Sequence, residues 1–202
     1  MKKETSDFLN LSEKRRTYYN ISRESTTTDE ELQNILERVV KNTPSAFNSQ
    51  STRLSLLLAG EHEKLWNIVM ETLRKIVPPE KFSDSEAKIN SFKNGYGTVL
   101  FFEDMDVVKS LQEMFPLYSH NFPIWSHHTS AMHQFATWTA LELEGMGASL
   151  QHYNELIEEE VKKNWNFPAS WKLIAQMPFG KPTAQPGEKE FQPLEKRLFV
   201  KK

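Results

Sequence analysis

The stretch Phe92-Lys-Asn-Gly-Tyr-Gly-Thr-Val-Leu-Phe-Phe-Glu-Asp104 decides how this chain folds. Its middle, Thr98 to Phe102, is a short continuous run of β-branched and aromatic residues and reads as a strand. Gly95 and Gly97 end the more polar helix expected from about Asp84 to Lys93. The acidic Glu103, Asp104 and Asp106 suit the positive end of a further helix, which stops before Pro116. A strand therefore sits between two helices, and the rest of the chain can be read outward from it.

Toward the N-terminus, Leu65, Ile68, Val69, Leu73 and Ile76 keep helical spacing until Pro78-Pro79. Leu54 to Ala59 reads as a buried strand, and the loop from Pro44 to Thr52 is too polar to be core. Leu32, Ile35, Leu36, Val39 and Val40 form one apolar stripe on a helix capped by Thr28, with Glu31 reaching back. Toward the C-terminus, Trp125 to Glu144 contains neither Pro nor Gly. Met132, Phe135, Ala136, Thr139, Ala140 and Leu143 make a wide apolar face there, so the spacing predicts a central, most buried helix. Gly145 and Gly147 stop it. Ala148 to Tyr153 reads as a short strand, Glu155 to Asn164 as an amphipathic helix with an acidic start, and Trp171 to Met177 as a last strand. After Gly180 the chain is polar and extended, with Pro182, Pro186 and Pro193 preventing regular helix. The expectation is one α+β domain over residues 1–202, of which 181–202 form an extended arm.

With 202 residues, 38% of them hydrophobic, the chain can bury one sizeable core. A net charge of −2 supplies no basic excess for nucleic-acid binding. The absence of cysteine removes disulfides, zinc-thiolate sites, iron–sulfur ligation and thiol nucleophiles, and reads as a cytoplasmic protein. No run approaches the roughly 20 apolar residues of a membrane helix, so no membrane partner is expected.

Several motifs carry potential chemistry. Lys14-Arg15-Arg16-Thr17-Tyr18-Tyr19 offers guanidinium forks and hydroxyls that can hold a phosphate, although three adjacent basic residues are more often a solvated patch. Ser45, Asn48, Ser49 and Gln50 can bond the polar edge of a heterocycle, or simply connect helix to strand. Lys93, Gln151-His152-Tyr153 and Lys196-Arg197 are weak candidates alone. Gly95-Tyr-Gly97 is no dinucleotide fingerprint, because it lacks the third glycine and precedes a strand instead of following one. His120, His127, His128 and His133 include no i, i+4 pair and no His-Glu-x-x-His, so no metal site is expected. No Gly-x-Ser-x-Gly elbow occurs.

In their order along the chain, Lys14-Arg-Arg-Thr-x-Tyr19, Pro44-Ser-Ala-Phe-Asn-Ser-Gln50, Phe92 to Asp104, Gly145-x-Gly147 and Lys196-Arg197 resemble the FMN-dependent nitroreductase family. The likeness runs from Lys14 to Arg197 and is nearest to the short branch of fatty-acid-repression-mutant-type proteins. It implies a three-layer α/β/α sandwich with a mostly antiparallel sheet, a long central helix and a C-terminal arm wrapping a partner in a homodimer. It also implies that Arg15, Arg16 and Thr17 hold the FMN phosphate and ribityl end, joined by Arg197. Ser45, Asn48 and Gln50 would meet the flavin or its ribityl chain, Lys93 its pyrimidine edge, and Gln151, His152 and Tyr153 the region near its reactive nitrogen. Two departures stand out: Ser51-Thr52 replaces the Pro-Trp of many larger relatives, and His152-Tyr153 replaces an acidic residue and glycine.

The function implied is transfer of electrons from NADH or NADPH to a nitroaromatic or quinone-like acceptor in a ping-pong cycle, with a stress-response role. No side chain is assigned as catalytic; His152, Tyr18 or water would supply protons. The alternatives are a flavin-binding sensor or regulator with little turnover, and an interaction module that binds no flavin.

Overall fold

The computed structural model describes residues 1–202. Five strands run in chain order as β1 (Ile21–Ser22), β2 (Thr52–Leu58), β3 (Gly97–Asp104), β4 (Gly147–Ala148) and β5 (Trp171–Pro182). The apolar run Thr98 to Phe102 lies within β3, antiparallel to β2 on one side and to β5 on the other. On the far side of β5 lie β1 and β4, both antiparallel to its last residues. The sheet is thus wholly antiparallel among its named strands, with β2 at one edge.

Seven helices accompany it: α1 (Lys3–Lys14), α2 (Asp29–Asn42), α3 (Ala59–Ile76), α4 (Phe82–Lys93), α5 (Met105–Met114), α6 (Phe122–Leu143) and α7 (Asn154–Trp165). Side chains alternate across β3, so its continuous apolar run feeds two cores. Leu100 and Phe102, with Leu57 and Leu173, pack against Leu65, Trp66 and Val69 of α3, Ile89 and Phe92 of α4, and Ile157 and Val161 of α7. Val99 and Phe101, with Ala175, Met177 and Phe179, pack against Leu32 and Leu36 of α2 and Leu141 of α6. The result is an α/β/α sandwich. Phe101 and Phe102 are fully buried on opposite faces, and burial of a side chain of that size contributes about 1.5–3 kcal/mol. No helix is long and apolar enough to cross a membrane.

The capping box read at Thr28 is present: its hydroxyl accepts the Glu31 N–H at 3.2 Å, and the Glu31 carboxylate accepts the Thr28 N–H at 2.9 Å. These bonds, led by the one from the Thr27 hydroxyl, hold the Glu31 carboxyl down at about 2.

Three expectations need correction, and one helix was not anticipated. The most consequential concerns α6. Its anticipated apolar face is outward: Met132, Phe135 and Leu143 are 40–52% exposed. The buried face instead carries Ser126, Thr129, Ser130, His133, Gln134 and Thr137. Burial of that polar face is tolerable because most groups close their bonds on the helix itself. Gln134 donates to Ser130 Oγ, His133 Nδ1 meets Thr129 O, and Ser126 Oγ donates to Pro123 O. Helix α1 was not read from the sequence at all, since it buries no residue and so lacks an inward stripe. Strand β5 continues to Pro182, five residues past Met177. It tolerates Pro178 because its carbonyl still accepts from the Ser149 N–H, while no ladder donor is required of the proline nitrogen. Finally, of the segment Ala148 to Tyr153 expected as a strand, only Ala148 lies in one, together with Gly147 in β4, and Gln151 makes a lone bridge.

Candidate functional site

Helix α1 ends at Lys14, and Arg15 turns extended, which sends Arg15 to Tyr18 along β4. The Tyr18 N–H donates to Ala148 O at 2.9 Å, and Thr17 pairs in parallel with Ala148. This approach requires a glycine at 147, because a Cβ there would lie 2.7 Å from Tyr18 Cγ. Helix α6 secures the loop from the other side. Trp138 Nε1 donates to Arg16 O at 3.1 Å, Tyr18 Oη donates to Glu142 at 3.2 Å, and the Arg15 guanidinium lies 4.5 Å from the Trp138 ring centre. Burial raises the Glu142 carboxyl above its ordinary value, opposed by the Arg16 N–H, the Tyr18 hydroxyl and the charges of Arg15 and Arg16. Burial, then the Glu142 charge, pushes the Tyr18 hydroxyl up as well. That hydroxyl is therefore committed to Glu142. Neither Trp138 nor Glu142 was singled out from the sequence; their i, i+4 spacing on one helical face was the available signal.

Arg15 and Arg16 form no ion pair with any carboxylate. Both are half-buried, and a guanidinium donates up to five hydrogen bonds and stays charged. They line a groove of about 560 Å³ with Thr17 to Asn20 and residues 184–190 of the arm. One donor of Arg16 reaches Gly187 O across it. One wall thus offers two guanidiniums and hydroxyls to an anion, and the arm wall opposite carries Glu188, Lys189 and Glu190.

Gln151 lies beside β5 on the segment that continues from β4. Its backbone exchanges two bonds with Gln176, at 2.7 and 2.9 Å, and its buried side chain donates to Ser149 Oγ at 3.0 Å. The neighbouring His152 is exposed. Tyr153 is half-buried, packed edge-on against Trp66, and its hydroxyl is pushed up by burial.

Ser45, Asn48 and Gln50 lie elsewhere, ahead of edge strand β2. Their loop has three non-glycine residues in the left-handed region: Phe47 at φ 55°, Asn48 at 51° and Gln50 at 49°. Such conformations cost about 1–3 kcal/mol each and concentrate at ligand-binding segments. Local bonds hold the turn, with the Gln50 N–H donating to Ser45 Oγ at 3.0 Å and the Asn48 N–H to Ser45 O at 3.0 Å. The Phe47 ring is fixed among Phe115, Phe122 and Trp125, at 4.8, 5.4 and 6.0 Å. No glycine marks this loop, so its backbone was invisible in the sequence.

Lys93 ends α4, where its Nζ donates to Asn67 Oδ1 at 2.8 Å. Its carbonyl accepts from the buried His62, whose Nδ1 meets Thr98 Oγ1 at 2.9 Å. Burial first, against the help of that carbonyl, takes His62 down to about 4. Arg197 is exposed on the arm and meets no carboxylate. One chain therefore gathers Arg15, Arg16 and Thr17, sets Gln151 on the segment that follows β4, and leaves the Ser45–Gln50 loop, Lys93 and Arg197 in separate places.

The sequence model of the Nitroreductase family matches residues 13–181. The chain belongs to that family. Nitroreductase FRM2 of Saccharomyces cerevisiae is 35% identical over 192 residues, covering 93% of this chain and 94% of the relative. The nitroreductase CinD of Lactococcus lactis in complex with chloramphenicol superposes with a TM-score of 0.89 at 43% identity, over 96% of this chain and 100% of that one. A nitroreductase-fold protein of Desulfovibrio desulfuricans in complex with FMN has a TM-score of 0.68 at 19% identity, over 96% and 95% of the two chains. This nitroreductase is thus an oxidoreductase with the three-layer fold of its relatives.

Proposed function

We propose that this nitroreductase binds FMN in a site shared by two copies of the chain and passes electrons from NADH or NADPH to nitroaromatic or quinone-like acceptors. Donor and acceptor would take turns in one pocket, the ping-pong order. The observation that carries the cofactor reading is the groove at Arg15 and Arg16, two half-buried guanidiniums that make no ion pair, beside Thr17. Those residues fit a phosphate dianion, and the strained amide-bearing loop at Ser45–Gln50 fits the polar heterocycle. Bound FMN supplies reversible two-electron chemistry. The chain's own part is to hold and orient: Arg15, Arg16 and Arg197 toward the phosphate, Ser45, Asn48 and Gln50 toward the ring and ribityl, and Lys93 toward the pyrimidine edge. Gln151 would approach the reactive end, where exposed His152 or water supplies a proton. Complexes of CinD with chloramphenicol and with 4-nitrophenol support nitroaromatic acceptors.

Geometry favours the shared site. From Thr52 to Thr17 the path crosses β3, β5 and β4 and runs seven residues along β5, from Lys172 to Phe179. At about 4.8 Å per strand and 3.3 Å per residue, the two clusters in one chain lie roughly 25–30 Å apart, beyond one mononucleotide. A second copy would supply the other half. The outward stripe of α6 offers it a surface: Met132, Ala136, Ala140 and Leu143 line a groove of about 710 Å³ with Ile35 and Val39 of α2. The arm has a second candidate seat. Leu36, Val40, Leu54, Leu56 and Leu58 line a groove of about 780 Å³ at the free edge of β2. Leu198, Phe199 and Val200 of the arm are 65–71% exposed. In a homodimer each arm would cover its partner there.

Complementation tests the arrangement. Arg16→Ala and Asn48→Ala proteins each bind FMN weakly on this reading. Unfolded and refolded together, they should regain about one wild-type site in four, because half of the dimers are mixed and each carries one intact site. No recovery, in a mixture shown to contain mixed dimers, would place both groups in one chain.

A further inference from the structure

Glu103 is the one carboxylate in the buried interior, fully enclosed on β3. Each of its oxygens accepts one hydroxyl, Ser51 Oγ at Oε2 and Thr52 Oγ1 at Oε1, both at 2.5 Å. The neighbouring Asp104 extends the grip. Its N–H donates to Ser51 O at 2.9 Å, and its carboxylate meets Arg53 at 3.0 Å, while Arg53 Nη1 donates to Gln50 O at 2.7 Å. Residues 51, 52 and 53, which immediately follow the left-handed loop, are therefore all fastened to Glu103 or Asp104.

Strand pairing does not require this arrangement, because Thr52 and Glu103 are already partners in the β2–β3 ladder. A carboxylate without an adjoining cation is also an expensive group to enclose; the nearby Arg53 is committed to Asp104. What the carboxyl does is hold two hydroxyls at once, one at each oxygen; burial raises it above its ordinary value, opposed by those two hydroxyls and the Arg53 charge. The far end of the loop is fixed by the Phe47 ring in its aromatic surround. Three left-handed residues between these anchors persist because both ends are over-determined.

We propose that Glu103 is a positioning residue: through Ser51 and Thr52 it holds the Ser45–Gln50 loop in its ligand-ready shape and so sets cofactor affinity without touching the cofactor. The proposal rests on the FMN reading for its consequence, and on the loop geometry for its cause. Two variants separate them. Ser51→Ala/Thr52→Val/Glu103→Leu replaces the whole network by apolar groups, a change that buried polar clusters commonly tolerate. It should melt at or above the wild-type temperature yet bind FMN at least ten-fold more weakly. Glu103→Gln keeps the shape and one acceptor. In the ligand-free protein its Asn48, Ser49 and Gln50 amides should exchange hydrogen at least ten-fold faster, with Val99 and Leu100 on β3 unchanged. A purely structural role would instead raise exchange along β3 and lower the melting temperature. Wild-type affinity in the triple variant, or unchanged loop exchange in Glu103→Gln, overturns the proposal. Wild-type protein that ignores FMN would overturn the functional reading alone, because the exchange measurement needs no ligand.

Discussion

Replacing Arg16 by alanine removes a guanidinium and almost nothing else. The loop it stands on is held through backbone atoms: Trp138 donates to the Arg16 carbonyl, Tyr18 N–H to Ala148, and Thr17 pairs with Ala148. All of these survive truncation of the side chain. The only side-chain bond lost is that to Gly187 on the arm. Stability should therefore change by no more than about 0.5 kcal/mol, or roughly 1–2 °C in a chain of this size. Cofactor binding should respond differently. A hydrogen bond between charged groups contributes about 1.5–3 kcal/mol, so FMN should bind roughly 10- to 150-fold more weakly. The assay is titration of apoprotein with FMN, followed by quenching of flavin fluorescence, beside a thermal melt of the same sample. Arg16→Lys should recover part of the loss, because it restores charge but not the fork. An Arg16→Ala affinity within three-fold of wild type, at unchanged stability, would refute the placement of the phosphate.

Three further outcomes follow. Truncation after Thr183, which spares β5, should convert the dimer to monomer and weaken FMN binding together; light scattering that finds a flavin-loaded dimer would contradict the exchanged arm. Phe135→Glu, on the outward stripe of α6, should weaken dimerisation at least 100-fold while leaving the far-ultraviolet dichroism of the chain intact, and a dimer as tight as wild type would remove α6 from the interface. His62 supplies a pH dependence. Its folded value of about 4 lies below the unfolded value near 6.5, so the unfolded chain takes up the proton first. Its contribution is complete above pH 6.5 and falls away toward pH 4, by about 3 kcal/mol in all. Urea unfolding at pH 7 and pH 4.5 measures it, and a His62→Gln protein with the same slope as wild type would acquit His62.

The legible parts of the fold were those where a local rule and the tertiary outcome agree. Thr28 and Glu31 announce a helix start, and Thr98 to Phe102 announce a strand because both of its faces are covered. The failure at α6 has a plain physical origin: a pattern read in one chain assumes that apolar means inward. In α6 it does not, since Ser130, His133 and Gln134 are buried while Met132 and Phe135 are exposed. A helix with an apolar stripe turned away from its own core suits a second copy. Pro178 would have ended β5 by rule, yet its carbonyl was all the sheet needed. At the candidate site, Arg15-Arg16-Thr17 alone read as a solvated patch and Gln151 as a weak candidate; the fold sets Thr17 against Ala148 and Gln151 against Gln176. The left-handed backbone of Phe47, Asn48 and Gln50 was not, because the usual glycine signal is absent. Glu103 was hidden inside a motif read only as the acidic start of a helix.

The central claim, an FMN oxidoreductase fed by a nicotinamide, is tested most directly by one spectrum. Protein reconstituted with FMN should be yellow, lose its flavin absorbance when NADH or NADPH is added without oxygen, and recover it when 4-nitrophenol or a quinone follows. Protein that does not retain FMN, or whose flavin absorbance is unmoved by either nucleotide, would contradict it.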